Sequence, residues 1–261
     1  MRCNADRMIE CLIKAQLTEL EAIKHSKSAV EKPGQTSQRP EPMVVTLSRG
    51  YGAMGCQIAH LLAEALELHC CDCLILQEVA RRANVDQALV KALDEHVSII
   101  NSHFDDKGQH WWKRLINRYS FTHEDYQDHL AKTILSMSLH GGVILGRGAN
   151  FILGPERAFR VRVVGSVEAC ARRVADRESI SIERATDKVI EQDYERTEYV
   201  KKLYDADINN PLFYDLIINT DRYSDVETVE IILNAMQQAR FALPSGAYES
   251  IGVSAPAERQ A

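Results

Sequence analysis

The sequence predicts an α/β protein whose core is a mostly parallel sheet with helices on both faces. Three observations carry this. Short β-branched runs alternate with segments of helical periodicity between Met43 and Met236, the pattern of βαβ units. Nearly every run is followed at once by a turn signal. The composition, 45% hydrophobic and 26% charged over 261 residues, is that of an ordinary globular protein.

Taken in order, the chain divides into four parts. Residues 1–25 carry an amphipathic helix, with Met8, Ile9, Leu12, Ile13, Leu17, Leu20 and Ile23 at helical spacing. That helix would serve a partner, a second copy of the chain (a homodimer) or its own core. Residues 26–42 form a Pro/Ser/Gly-rich flexible linker. Residues 43–243 hold the core, and 244–261, with Pro244, Gly246, Gly252 and Pro256, read as a disordered tail.

Within the core, Met43 to Ser48 is a strand and Ile58 to Leu68 a helix. His69 to Cys71 is a short segment closed by Asp72, which would cap the helix through Leu76, Val79 and Ala80. Gly142 to Leu145, Phe159 to Val164 and Tyr214 to Thr220 are further strands. Ser166 is placed to cap the helix through Ala169, Ala171 and Val174, and Ser224 with Glu227 forms a capping box for the last helix. With Met43 to Ser48 central, ligands belong at the carboxyl ends of the strands.

Composition narrows the function. The 31 Lys and Arg against 37 Asp and Glu leave a formal charge of −6, which argues against a general nucleic-acid binder. No run of 18 apolar residues and no signal-type h-region is present, so neither a membrane span nor secretion is expected. Seven cysteines, an odd number, fit reduced thiols in a cytoplasm. His69 to Cys73 lacks two separated ligand pairs, so no metal site is assigned there. His110 to Arg114, which includes Trp111 and Trp112, is assigned to helix packing rather than to nucleic-acid stacking.

The segment Ser48, Arg49, Gly50, Tyr51, Gly52, Ala53, Met54, Gly55, Cys56, Gln57 joins strand to helix. Its glycines permit a curled backbone whose N–H groups converge on one point, beside a helix N-terminus; that suits phosphate. It does not match the standard G-x-x-x-x-G-K-[ST] loop. Arg49 stands at the first glycine, Met54 at the second, Gly55 at the lysine and Cys56 at the Mg²⁺-binding hydroxyl.

Four features together resemble the cytidylate kinase-like branch of the nucleoside monophosphate kinases. They are this loop, with Ser48, Arg49, Gly52 and Gly55 matching; Gly146 to Asn150 (GRGAN) after a strand; Ala171-Arg172-Arg173 followed by the D-x-x-R of Asp193 and Arg196; and Asn210 to Thr220. The resemblance implies a P-loop NTPase fold with a helical lid, and ATP-dependent phosphoryl transfer to CMP or dCMP with Mg²⁺. It assigns Arg147 and Arg196 as catalytic, Asp72, Arg147 and Asn150 as acceptor-binding, and Arg172, Arg173, Arg196 and Lys201 as the lid. The altered loop supports a second possibility, a catalytically weak or inactive nucleotide-binding regulatory protein.

Overall fold

The computed structural model describes residues 42–72, 74–85, 87, 90, 91, 94 and 123–254. The amphipathic helix at 1–25, the linker up to residue 41 and the Trp111–Trp112 segment lie outside the described residues. Among those described, five strands form one parallel sheet: β1 (Val44–Arg49), β2 (Cys70–Cys71), β3 (Gly142–Leu145), β4 (Phe159–Val164) and β5 (Leu216–Asn219). The order is β2-β3-β1-β4-β5, with β1 central as expected.

Among the described residues the α-helices that run without a gap are α1 (Gly55–Ala65), α2 (Leu74–Ala83), α3 (His123–Ser138), α4 (Ala149–Arg157), α5 (Val167–Glu178), α6 (Ile182–Tyr204) and α7 (Asp225–Gln238). Alternation along β1 sorts them into layers. Val45 and Leu47 join Val143, Leu145, Val161 and Val163 in a core closed by Ile58 and Leu62 of α1 and by Ile232 and Leu233 of α7. Val44 and Ile144 face the other way, onto Ile75 and Val79 of α2, Leu130 and Ile134 of α3, and Leu153 of α4.

A third cluster, Ala53 with Cys170, Val174, Ala185 and Val189, fastens α5 and α6 to the β1–α1 loop. Two of the expected caps are present: Ser166 Oγ accepts the Ala169 N–H at 3.2 Å, and Ser224 with Glu227 makes the reciprocal box, each worth about 1 kcal/mol. Ser181 caps α6 through the Arg184 N–H at 3.4 Å.

β4 alternates Arg160 and Arg162 with valines, yet both arginines are buried. Arg160 is neutralised by Asp215 at 2.7 Å, and Arg162 donates to Ser48 Oγ at 2.8 Å. A buried charge persists when it is ion-paired, as Arg160 is, or hydrogen-bonded, as Arg162 is.

The disordered tail expected from residue 244 is corrected as far as residue 254. Ala247, Tyr248 and Ile251 are buried in the α1/α7 core, a 3₁₀ turn spans Glu249–Ile251, and Tyr248 donates its hydroxyl to Asn234 at 2.9 Å. Proline, glycine and serine punctuate the segment, but these three side chains fall on one apolar face and bury it.

Candidate active site

Two turns meet at the carboxyl edge of the sheet. β1 and β3 pair through Leu47 and Leu145, and the Gly146 N–H donates to the Leu47 carbonyl at 3.0 Å. The β1–α1 loop and the Gly146–Gly148 turn are therefore neighbours.

The loop is shaped by close approach. Gly52 has φ 79°, and a Cβ there would meet the Cys170 carbonyl oxygen at 2.7 Å, so no other residue fits against α5. Met54 takes the left-handed conformation, φ 60° and ψ 14°, as N-cap of α1 and makes no side-chain cap bond. A non-glycine residue held there is strained. Its lack of a capping side chain leaves the first-turn N–H groups of α1 to water or to an anionic ligand.

Arg49 crosses this space. A Cβ on Gly55 would meet Arg49 Cβ at 2.5 Å and Cγ at 2.7 Å, and one on Gly146 would collide with the Arg49 guanidinium. The arginine stem thus lies over the first residue of α1, and its head lies over the β3–α4 turn. Burial together with the Arg196 and Arg147 cations pulls its pKa down to about 10, with Asp72 and Cys56 opposing.

The third cation comes from α6. Arg196 donates to the Arg49 carbonyl at 3.3 Å and to Asp193 Oδ1 at 3.2 Å. That same carboxylate oxygen accepts the Tyr51 N–H at 2.7 Å. Burial lowers the Arg196 pKa, and Asp193 offsets part of this. The Tyr51 ring sits among Arg177, Lys188 and Arg196 at 5.3–5.8 Å, within cation–π reach. Its hydroxyl donates to Glu178 at 2.9 Å.

Arg147 behaves differently. Burial disfavours its charge, but Asp94 nearby, helped by Tyr199 and Tyr126, raises its pKa overall. Its Nη2 lies 2.9 Å from Asp94 Oδ2. Arg147 is anchored, while Arg49 and Arg196 are cations whose burial and mutual repulsion an anion would relieve.

Arg49, Arg147 and Arg196 line one cavity of about 310 Å³, together with Ser48, Lys91, Asp94, Asn150, Gln192 and Glu195. Asn150 is buried, with an Nδ2 that has no partner among the described residues. Asp72 does not line the cavity; it acts at a distance, favouring the charges of Arg49 and Arg147.

The remaining lid residues are not brought to the cavity. Arg172 and Lys201 are exposed. Arg173 is occupied as a strut, donating to the Thr220 carbonyl at 2.6 Å and to the Gly52 carbonyl at 3.4 Å. Helical phase explains this: Arg196 shares its face of α6 with Gln192 and Tyr199, whereas Lys201 falls outside it. Asp94 and Tyr126 carry no sequence signal that would have found them.

The loop does not fit a protein-held Mg²⁺. The position of the ion-binding hydroxyl holds the Cys56 thiol, a soft sulfur where the ion asks for hard oxygen. Among the described residues no group of three His, Cys, Asp or Glu could hold a metal, and no helix is long and apolar enough to cross a membrane.

A parallel sheet with this strand order, a glycine loop leading from its central strand into α1 and a helical hairpin over that loop define an α/β P-loop NTPase fold of the kinase type. The chain belongs to the cytidylate kinase-like family, whose model matches residues 44–222. It is 25% identical over 198 residues to the cytidylate kinase of Methanocaldococcus jannaschii, covering 74% of this chain and 96% of that one. It is 28% identical over 120 residues to the cytidylate kinase of Pyrococcus horikoshii, covering 46% of this chain and 62% of the relative. Among solved structures, an uncharacterized protein from Eubacterium ventriosum superposes with a TM-score of 0.53 at 16% identity, over 75% of this chain and 98% of that one. That likeness supports the fold alone. The family makes the chain nucleoside monophosphate kinase-like.

Proposed function

We propose that this protein transfers the γ-phosphoryl group of ATP to a pyrimidine nucleoside monophosphate, CMP or dCMP. The observation that carries the proposal is the meeting of Arg49, Arg147 and Arg196, from three separate elements, at one cavity between the glycine loop and the Gly146–Gly148 turn. The choice of cytidine rests on the named activity of the relatives.

Phosphoryl transfer asks little of a protein beyond positioning and charge neutralisation. The loop N–H groups and the α1 N-terminus would hold the donor phosphates. Arg49 would take the place of the missing loop lysine at the β/γ phosphates. Arg147 would fork the acceptor phosphate, for which a guanidinium is geometrically suited. Arg196, reaching across from α6, would neutralise charge on the group in flight. The bond from the γ-phosphorus to the β-bridging oxygen breaks as a bond to an acceptor phosphate oxygen forms, giving ADP and the nucleoside diphosphate. ATP would bring Mg²⁺ on its phosphates, where the ion neutralises charge, and the roles of the chain's own residues do not depend on a protein ligand for it.

One observation favours a regulatory, weakly active protein instead: the Asp193 carboxylate occupies the Tyr51 N–H, a group that a phosphate-binding loop would offer to its ligand. Measurement of ADP release with CMP, dCMP, UMP and AMP separates the two. Turnover with a cytidine monophosphate supports the kinase; nucleotide binding without turnover supports the regulator.

A further inference from the structure

Arg147 is held at both ends by residues that no motif identifies. Its head is paired with Asp94 Oδ2, and the other oxygen, Asp94 Oδ1, accepts the Tyr126 hydroxyl at 2.5 Å. The Tyr126 and Tyr199 hydroxyls lie 3.2 Å apart. At the other end, Tyr204 donates its hydroxyl to the Arg147 carbonyl at 2.7 Å. A Cβ on Gly148 would run into the Tyr204 ring, so the turn is pressed directly onto that tyrosine.

A plain structural ion pair does not account for this arrangement. Arg147 is in the left-handed region at φ 52°, a conformation that costs a non-glycine residue free energy, between two glycines that would adopt it readily. Its Nε is buried without a partner among the described residues, which a stabilising pair would avoid. The network spends stability to aim one guanidinium. Tyr126 is fully buried, and burial with the Asp94 charge keeps its hydroxyl protonated far above neutral pH. It is therefore a permanent donor to Asp94. Tyr199 and Tyr204 sit on α6, the helix that also carries Asp193 and Arg196.

We infer that Asp94 and Tyr126 are positioning residues for the acceptor phosphate: they fix the Arg147 guanidinium in its binding orientation and link it through Tyr199 to the helix that covers the donor loop. This rests on the assignment of Arg147 to the acceptor phosphate under the proposed function. Asp94 acts through Arg147 and touches no reacting atom.

The test is a double-mutant cycle on the full chain, reading CMP affinity by calorimetry and folding by thermal melting. Arg147→Ala should weaken CMP binding about thirtyfold, as loss of a charge-assisted contact of about 2 kcal/mol implies. Asp94→Asn, which keeps the shape and removes the charge, should weaken it roughly tenfold, and Tyr126→Phe severalfold, with ATP affinity unchanged in all three. The double variant Arg147→Ala/Asp94→Asn should bind CMP no more weakly than Arg147→Ala alone, because a positioning residue has nothing left to position. A role in folding alone would instead give additive losses, or melting shifts without a change in CMP affinity, and either result overturns the inference. Should Asp94→Asn fail to fold, Tyr126→Phe with its own double variant carries the same test. Wild type that does not bind CMP, or an Arg147→Ala variant that binds it normally, removes the acceptor assignment itself. Weakening by Arg147→Ala without any by Asp94→Asn or Tyr126→Phe removes the positioning inference alone.

Discussion

Gly55 lies directly beneath the stem of Arg49, so close that a Cβ built on the glycine would meet Arg49 Cβ at 2.5 Å and Cγ at 2.7 Å. The standard loop has glycine where Arg49 stands and lysine where Gly55 stands. Here the cation and the glycine have exchanged places. Arg49 enters the loop from the strand side, and Gly55 supplies the room its stem needs. Under the proposed function the loop is rebuilt rather than eroded.

Restoring the standard loop should do harm. In Met54→Gly/Gly55→Lys/Cys56→Ser, the lysine stem collides with the Arg49 stem rather than with a flexible tip. Overpacking of this kind costs about 1–3 kcal/mol and drives Arg49 out of place. ATP-dependent turnover should fall at least tenfold, and Gly55→Ala alone should reproduce most of the loss. A triple variant faster than wild type would show that Arg49 has not taken over from the lysine.

Asp193 holds the Tyr51 N–H and pairs with Arg196. A triphosphate entering the loop brings negative charge toward that carboxylate. Asp193→Asn removes the repulsion and frees Arg196, so ATP should bind several times more tightly. The pair is partly exposed, which limits the effect. Weaker ATP binding in this variant, measured by calorimetric titration, would mean that Asp193 organises the loop for the ligand instead of competing with it.

Much of the fold was legible because it rests on local rules. The runs at Val44, Gly142, Phe159 and Leu216 are β-branched and bounded by turn residues, and Ser166 and Ser224 announce their helices. The tail was misread because composition outweighed three apolar residues, Ala247, Tyr248 and Ile251, whose partners on α1 and α7 are remote in sequence. At the site, Arg49, Arg147 and Arg196 stand in recognisable motifs. Asp94 and Tyr126 do not: the role inferred for them rests on a contact across 32 residues, which no spacing reveals. Arg173 looks like a lid cation in sequence, yet it is consumed by the Thr220 carbonyl.

The junction of α5 and α6 should respond to acid. Lys188, Arg177 and Tyr51 all donate to Glu178 and hold its carboxyl down to about 2, against an ordinary 4.5. A carboxyl lowered on folding contributes stability above its ordinary range and loses that contribution as pH falls from about 4.5 toward 2. The melting temperature of wild type should exceed that of Glu178→Gln at pH 7, and the difference should close on acidification through that window. A difference that persists unchanged at pH 2, or one that widens on acidification, would contradict the assignment. The carboxyl is only partly buried and its partners Arg177 and Lys188 are exposed, so the difference is expected to be small.

The most direct test of the whole account is steady-state ADP release over a panel of nucleoside monophosphates, comparing wild type with Arg49→Ala. The account predicts turnover by wild type with CMP or dCMP, and a loss of roughly a hundredfold or more in Arg49→Ala, because the cation that replaces the loop lysine would be gone. Arg49→Ala with wild-type activity would contradict the exchange of roles between Arg49 and Gly55, and wild type inactive with every monophosphate would contradict the kinase itself.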